Sequence, residues 1–386
     1  MKKWLALLMA TALLSGCVPT FQKNDEVVQD NNDNKDKSII PSYQISDSYY
    51  RSVVPFRTSK TRGMVVSNLN SKYDIDEFET GLMRVANEHF STDKYVFEEG
   101  QKLDKETVSK WLRRKYTASQ LKELNIKEED NIGLNPLNNE KGSIEQQNEK
   151  SPIYLAQVLE HDYLIKKDDK VKLGGIVIGL ALNSVHYYQK EKYGATFEQD
   201  IPHDKLAAEG KKMAEEIIKR LRSNTEIGNV PITIALFEQK GKNSVIPGNF
   251  FAYAHANGGS ASLGDWKAID ETYYLFPSSA AEKDHRDDVT SFMAFKDEVE
   301  KYFPNYNGVI GQAFYKNGQF IKLSIDIPIQ LYGHAEIIAF TQYATSLVMD
   351  HFPDYVTVDV NINSINGAEA LIVKNAGDKE PFVHIY

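Results

Sequence analysis

Ile176-Val177-Ile178-Gly179-Leu180-Ala181-Leu182 holds seven residues without one polar side chain. An apolar run this short and unbroken marks a strand covered on both faces, since a half-exposed strand alternates with polar residues. Reading outward, Asn183 to Gln189 does alternate, with Val185 and Tyr187 between polar neighbours. A helix is expected from about Asp204 to Arg222, where Leu206, Gly210, Met213, Ile217 and Leu221 form one apolar stripe. Pro231 to Glu238 then reads as a strand, with Ile232, Ile234 and Leu236 at every second position.

The last eighty or so residues repeat that order. Val309–Tyr315 and Phe320–Gln330 are expected strands around Asn317-Gly318, a strong two-residue hairpin signal. Ala335–Phe352 reads as a helix with Ile337, Phe340, Ala344, Leu347 and Val348 on one side. Val356–Ile362, Ala368–Val373 and Phe382–Tyr386 follow as strands. Two related strand–helix–strand halves, about 166–260 and 305–386, thus form mixed sheets in an α+β body spanning 166–386. The segment Ile246–Asp284 reads as an irregular joint, followed by a helix from about Asp287 to Phe303.

Upstream, residues 49–165 read as a mainly helical region. Phe78, Leu82, Val85 and His89 recur at helical spacing behind Asp76-Glu77, and Asp104 is placed to cap a helix carrying Val108 and Trp111. Asn131–Lys150 reads as a loop, and Ser151-Pro152 as the start of a helix through Leu159.

The N-terminus carries a different message. Met1-Lys2-Lys3, an apolar run from Trp4 to Leu14 and then Ser15-Gly16 have the anatomy of a secretory signal, too short to span a bilayer. The only cysteine, Cys17, follows Leu14-Ser15-Gly16 directly, as in a bacterial lipobox. Cleavage between Gly16 and Cys17 and acylation of the thiol are expected. That requires a lipoprotein diacylglyceryl transferase and a lipoprotein signal peptidase as maturation partners. Residues 1–16 are then the signal peptide, and the mature chain is held on the outer face of the cell membrane by lipid. Residues 17–48 read as a lipidated flexible tether, because the run from Asp25 to Lys37 is polar and cannot bury a core. Some 30 such residues reach about 30 Å. The formal charge is −9, and loss of Lys2 and Lys3 brings the mature chain to −11. So acidic a chain repels nucleic acid, which is excluded as a partner.

The sequence carries no His-Glu-x-x-His, Gly-x-Ser-x-Gly, phosphate-binding loop or dinucleotide fingerprint, so neither a metal nor a cofactor is expected. Ser91-Thr92-Asp93-Lys94 matches a Ser-x-x-Lys pair, but its companion elements are missing and Ser91 is better explained as ending a helix. His161, between Glu160 and Asp162, reads as a helix-end residue, and His334 as a helix start. His186 with Tyr187 and Tyr188, at the end of the first core strand, is the candidate binding site, since stiff amphipathic rings suit glycan or peptide.

Several longer stretches resemble the CamS family of Gram-positive sex-pheromone-precursor lipoproteins. They include Tyr50-Arg51-Ser52-Val53-Val54-Pro55-Phe56, Gly133-Leu134-Asn135-Pro136, and Lys150-Ser151-Pro152-Ile153-Tyr154-Leu155. Gly179 to Tyr188, Ile246-Pro247-Gly248, Pro277-Ser278-Ser279 and Lys379 to Tyr386 continue the match over nearly the whole chain. The resemblance implies no enzyme activity. It also implies that Ala10-Thr11-Ala12-Leu13-Leu14-Ser15-Gly16 is the pheromone-like peptide. Pheromones of this type are richer in bulky Phe, Ile and Val, so weak induction or none is expected here. Three readings follow: a non-enzymatic surface lipoprotein, a binder of a wall component, peptide or protein, and a cell-wall enzyme acting on peptidoglycan or a stem peptide.

Overall fold

The structure, a computed structural model, describes residues 24–386 apart from 32–33, 139–140, 226, 303–307 and 331–332. Cys17, Gly16 and the Ala10–Gly16 peptide therefore lie outside the described residues. The chain opens with β1 (Asp25–Asn31) and β2 (Asn34–Ile40), then α1 (Met64–Asn68), α2 (Lys72–Ala86) and β3 (Tyr95–Glu99). Three short helices follow: α3 (Lys105–Leu112), α4 (Ala118–Glu123) and α5 (Ile144–Lys150). Next come β4 (Leu155–Lys167), β5 (Lys170–Asn183), the β6 (Val185–Gln189) and β7 (Thr196–Asp200) ribbon, and α6 (His203–Ser223). β8 (Ile232–Gln239), β9 (Asn249–Ala256) and β10 (Lys267–Ala268) complete one sheet. β11 (Glu271–Phe276), α7 (Ser279–Asp284), α8 (Arg286–Tyr302), β12 (Ile310–Lys316) and β13 (Gln319–Pro328) begin the other. α9 (His334–His351), β14 (Thr357–Ser364), β15 (Gly367–Lys374) and β16 (Phe382–Ile385) end it.

This is the α+β fold read from the sequence. β5 runs parallel to β8 across the α6 crossover, and β13 runs parallel to β14 across α9. Antiparallel partners flank each pair: β4 and β9 in the first sheet, β12 and β15 in the second. The outer strands fall into line too, β3 and β10 matching β11 and β16. Asn317 and Gly318 make the hairpin turn at φ 52° and 71°, the double left-handed geometry such a turn needs.

The first sheet is covered twice. Ile176, Ile178, Leu180 and Leu182 pack with Leu206, Met213 and Ile217 of α6. Val177 and Ala181 face Phe78 and Leu82 of α2 on the other side. The second sheet keeps one core, where Leu323, Ile325 and Ile327 meet Phe292, Phe295 and Phe340 from α8 and α9. The halves join where Arg84 of α2 makes a two-pronged ion pair with Glu271 of β11, at 2.9 and 2.8 Å. Arg84 also pairs with Glu77, whose other oxygen accepts the Tyr273 hydroxyl at 2.6 Å. Burial opposes the guanidinium charge, but Glu77 and Glu271 hold its pKa above the ordinary value.

Three expectations need correction. Leu155–Lys167 is a strand paired along its length with β5, not a helix from Ser151-Pro152. Leu155, Val158 and Leu159 recur at helical spacing, and pairing with the most buried strand overrides that local pattern. β3 and β4 therefore belong to the first sheet, and residues 49–165 are helical only in part. The expected joint at Ile246–Asp284 likewise contains β9, β10, β11 and α7, so each half is longer than the sequence suggested.

The third correction concerns the tether. β1 and β2 pair antiparallel, and β1 meets the start of β5 at Val28↔Lys170 and Gln29↔Val171. Val27 and Ile40 are buried with Val53, Val96, Leu164 and Val171. A strand added to an existing sheet needs backbone bonds and few inward side chains, so a polar composition did not preclude it. The flexible tether of 17–48 therefore does not extend through Asp25–Ile40.

Candidate functional site: a pocket under the 49–66 strap

A strap of chain from Tyr49 to Val66 crosses the α2 side of the first sheet. It is held by backbone: the Phe97 N–H donates to the Arg51 carbonyl at 2.8 Å, and Val54 bridges Ile39. The Tyr50 hydroxyl donates to the Phe90 carbonyl, and its ring meets Tyr163 edge-on at 4.9 Å. Farther along, Arg57 reaches Glu98 at 3.2 Å, and Arg62 reaches Glu99 at 2.6 Å while lying over the Phe56 ring. Gly63, at φ 92°, turns the strap into α1.

Beneath the strap lies a cavity of about 610 Å³, lined by Tyr49, Tyr50, Phe56, Val66, Phe97 and Leu159. α2 contributes Ile75, Glu79 and Met83, spaced by four on one stripe, while Phe78, Leu82 and Val85 turn to the core. Ser71 sets the start of that helix by accepting the Asp74 N–H at 3.0 Å. Arg62, Glu99 and His161 supply polar edges. Desolvation, with Glu99 and Asp76 nearby, raises the Glu79 pKa. Burial pushes His161 down to about 3, so the ring is neutral; it meets Phe97 edge-on and its Nδ1 has no partner.

The opposite face of β4 carries a second polar group. Glu160 accepts the N–H groups of Lys102 at 2.9 Å and Leu103 at 2.7 Å, and Asp162 accepts that of Gln101 at 3.0 Å. A Cβ on Gly100 would lie 2.5 Å from the Glu160 side chain, so only glycine lets the loop close on it. Burial raises the pKa of both carboxyls, Asp162 well above the ordinary range with Glu160 adding to it. The other Asp162 oxygen is buried without a hydrogen-bond partner. His161 thus lies mid-strand rather than at a helix end.

The site expected at His186, Tyr187 and Tyr188 lies on the β6–β7 ribbon, away from this pocket's lining. His186 Nε2 sits 2.8 Å from Asn148 Oδ1, and Nδ1 accepts the Ile153 N–H at 3.4 Å. The Tyr187 hydroxyl accepts the Lys242 N–H, and Tyr188 stacks between His186 and Phe197. Burial, then Arg114, lowers His186 to about 4. Ser91 and Lys94 form a backbone turn, with the Lys94 ammonium over Tyr95. Among the described residues no cluster of His, Cys, Asp and Glu is arranged to hold a metal ion, and no helix is long and apolar enough to cross a membrane.

The matching strand order of the two sheets, with a pocket built onto the first, defines a two-sheet α+β protein. The solved C-terminal domain of the sex pheromone staph-cAM373 precursor of Staphylococcus aureus is 36% identical, with a TM-score of 0.73 over 83% of this chain and 98% of that one. The sex pheromone precursor of Lactobacillus salivarius subsp. salivarius UCC118 is 33% identical, with a TM-score of 0.80 over 89% of this chain and 98% of that one. The family described as CamS sex pheromone cAM373 precursor matches residues 56–380. This chain belongs to the CamS family. No curated protein matches it.

Proposed function

We propose that this chain is a lipoprotein of the outer membrane face whose body binds, rather than transforms, an amphiphilic wall fragment or short peptide in the pocket under the strap. Leu14-Ser15-Gly16-Cys17 supports the lipid anchor. Family membership supports release of Ala10–Gly16 as a pheromone-like peptide, and its small side chains support low potency. The observation that carries the binding reading is the cavity itself. About 610 Å³ of largely apolar space with an Arg62–Glu99 edge suits a ligand of drug-like size. Its one histidine is neutral, and the raised carboxyl pair on the other face of β4 is engaged with backbone N–H groups.

The test titrates the mature chain with muropeptides and with synthetic Ala10–Gly16 by calorimetry. Phe56→Ala and Arg62→Ala should each weaken binding about tenfold, the effect of losing an anchoring side chain. Tyr187→Ala should leave binding unchanged. Binding lost in Tyr187→Ala but kept in the strap variants would overturn the assignment. Muropeptide turnover that disappears in His161→Ala would put a cell-wall enzyme in its place.

A further inference from the structure

The apolar surface of this protein is unevenly spread. Of the 21 exposed large apolar side chains among the described residues, eight fall between Ile39 and Tyr73, about a tenth of the chain. Tyr43 and Ile45 are the most open of these, 77% and 75% exposed. They lie beside the point where the chain enters the described structure, since Ser42 N–H donates to Asn24 Oδ1 at 3.0 Å. Ile39 and Val54 are bridge partners one strand away. Asn24 lies seven positions after Cys17, a distance of at most about 25 Å with the chain fully extended.

We propose that the face carrying Ile39, Tyr43, Ile45 and Val54 rests on the lipid bilayer, as a second membrane contact beside the lipid on Cys17. The inference depends on the anchor proposed above, because the short leader is what brings this face to the membrane. Tyrosine suits the headgroup level, with an apolar ring and a polar tip, and the aliphatic side chains suit the layer below. Charge does not oppose the contact. Residues 39–66 carry Arg51, Arg57, Lys60 and Arg62 against Asp47 alone, in a chain whose net charge is −9. Arg57 and Arg62 are paired with Glu98 and Glu99, so the strap does not share the acidity that repels anionic headgroups. The acyl chains supply the affinity, and the patch sets orientation by holding the strap side of the first sheet downward.

The lone cysteine permits a direct test. Once Cys17 is acylated, Ile45→Cys adds the one free thiol, and Ile365→Cys, at the 93% exposed tip between β14 and β15, serves as control. Each full-length chain, processed in a Gram-positive host, is labelled with a polarity-sensitive dye. It is then reconstituted into vesicles of equal phosphatidylglycerol and phosphatidylcholine carrying brominated acyl chains. The dye at position 45 should shift to shorter wavelength and be quenched, while the dye at 365 should do neither. Vesicle-bound protein with the same emission at both positions overturns the docking and leaves the anchor standing. Protein absent from the vesicle fraction overturns both. The same shift at position 45 in a Cys17→Ser chain without vesicles would assign the patch to a second copy or to the chain's own N-terminal residues, and would overturn the docking.

Discussion

In the first sheet β5 presents Ile176, Ile178 and Leu180 to α6 and Val177 and Ala181 to α2. In the second, β13 presents Leu323, Ile325 and Ile327 to α8 and α9, while Lys322, Ser324 and Asp326 line the open side. The same strand order thus supports two solutions. One sheet carries a helix on each face; the other keeps a solvated face and reads as clean alternation. The difference marks where this architecture was elaborated. The added layer of α2 and strap builds the pocket, and it also supplies the arginine that joins the halves.

The largest expected effect comes from removing that arginine. Arg84→Ala leaves Glu77 buried without its cation and Glu271 with Lys316 alone, and denaturant unfolding should show a loss of about 3 kcal/mol. A loss below about 1 kcal/mol would mean the halves are held by something else. Next comes the added layer itself. Leu82→Ala, fully buried between α2 and β5, should cost about 2–5 kcal/mol, whereas Ser324→Ala on the open face of β13 should stay within about 0.5 kcal/mol. Equal costs would erase the contrast between covered and open faces.

The smallest effect is a slope against pH. Burial raises the folded pKa of Asp162 above its unfolded value, so its stabilising share is complete below the ordinary carboxylate range. That share is lost as pH rises through the raised value. The unfolding midpoint of the parent chain should therefore fall from pH 4 toward pH 8 relative to Asp162→Asn. Parallel curves for the two chains would mean that Asp162 does not titrate with a raised pKa in the folded state.

Where one period dominated, the sequence was read correctly. The α6 and α9 stripes and the Asn317-Gly318 turn gave elements within a residue or two of those observed. Reading failed where long-range pairing overrides local preference. β4 holds Glu160, His161 and Asp162 in a central strand, and only its partners β3 and β5 explain so many buried polar groups. The pocket was missed for a related reason. Phe56, Val66, Met83 and Leu159 come from four separate elements, and no local spacing connects them. A signal is present in the strap, where Arg51, Arg57, Lys60 and Arg62 flank the apolar groups Val53-Val54-Pro55-Phe56 and Met64-Val65-Val66. His186, Tyr187 and Tyr188 are adjacent in sequence, and in the fold they contact Asn148, the Lys242 N–H and Phe197 respectively.

The clasp at Arg84 also bears on cooperativity. Each half owns a separate core, the usual condition for two melting transitions. Yet Glu77 and Arg84 belong to one half and Glu271 and Tyr273 to the other, and the Arg84–Glu271 and Tyr273–Glu77 bonds cross between them. Unfolding either half forfeits the whole contact, so that free energy is subtracted from any half-folded state. Such intermediates are depopulated in proportion, which favours opening of the two halves as one unit.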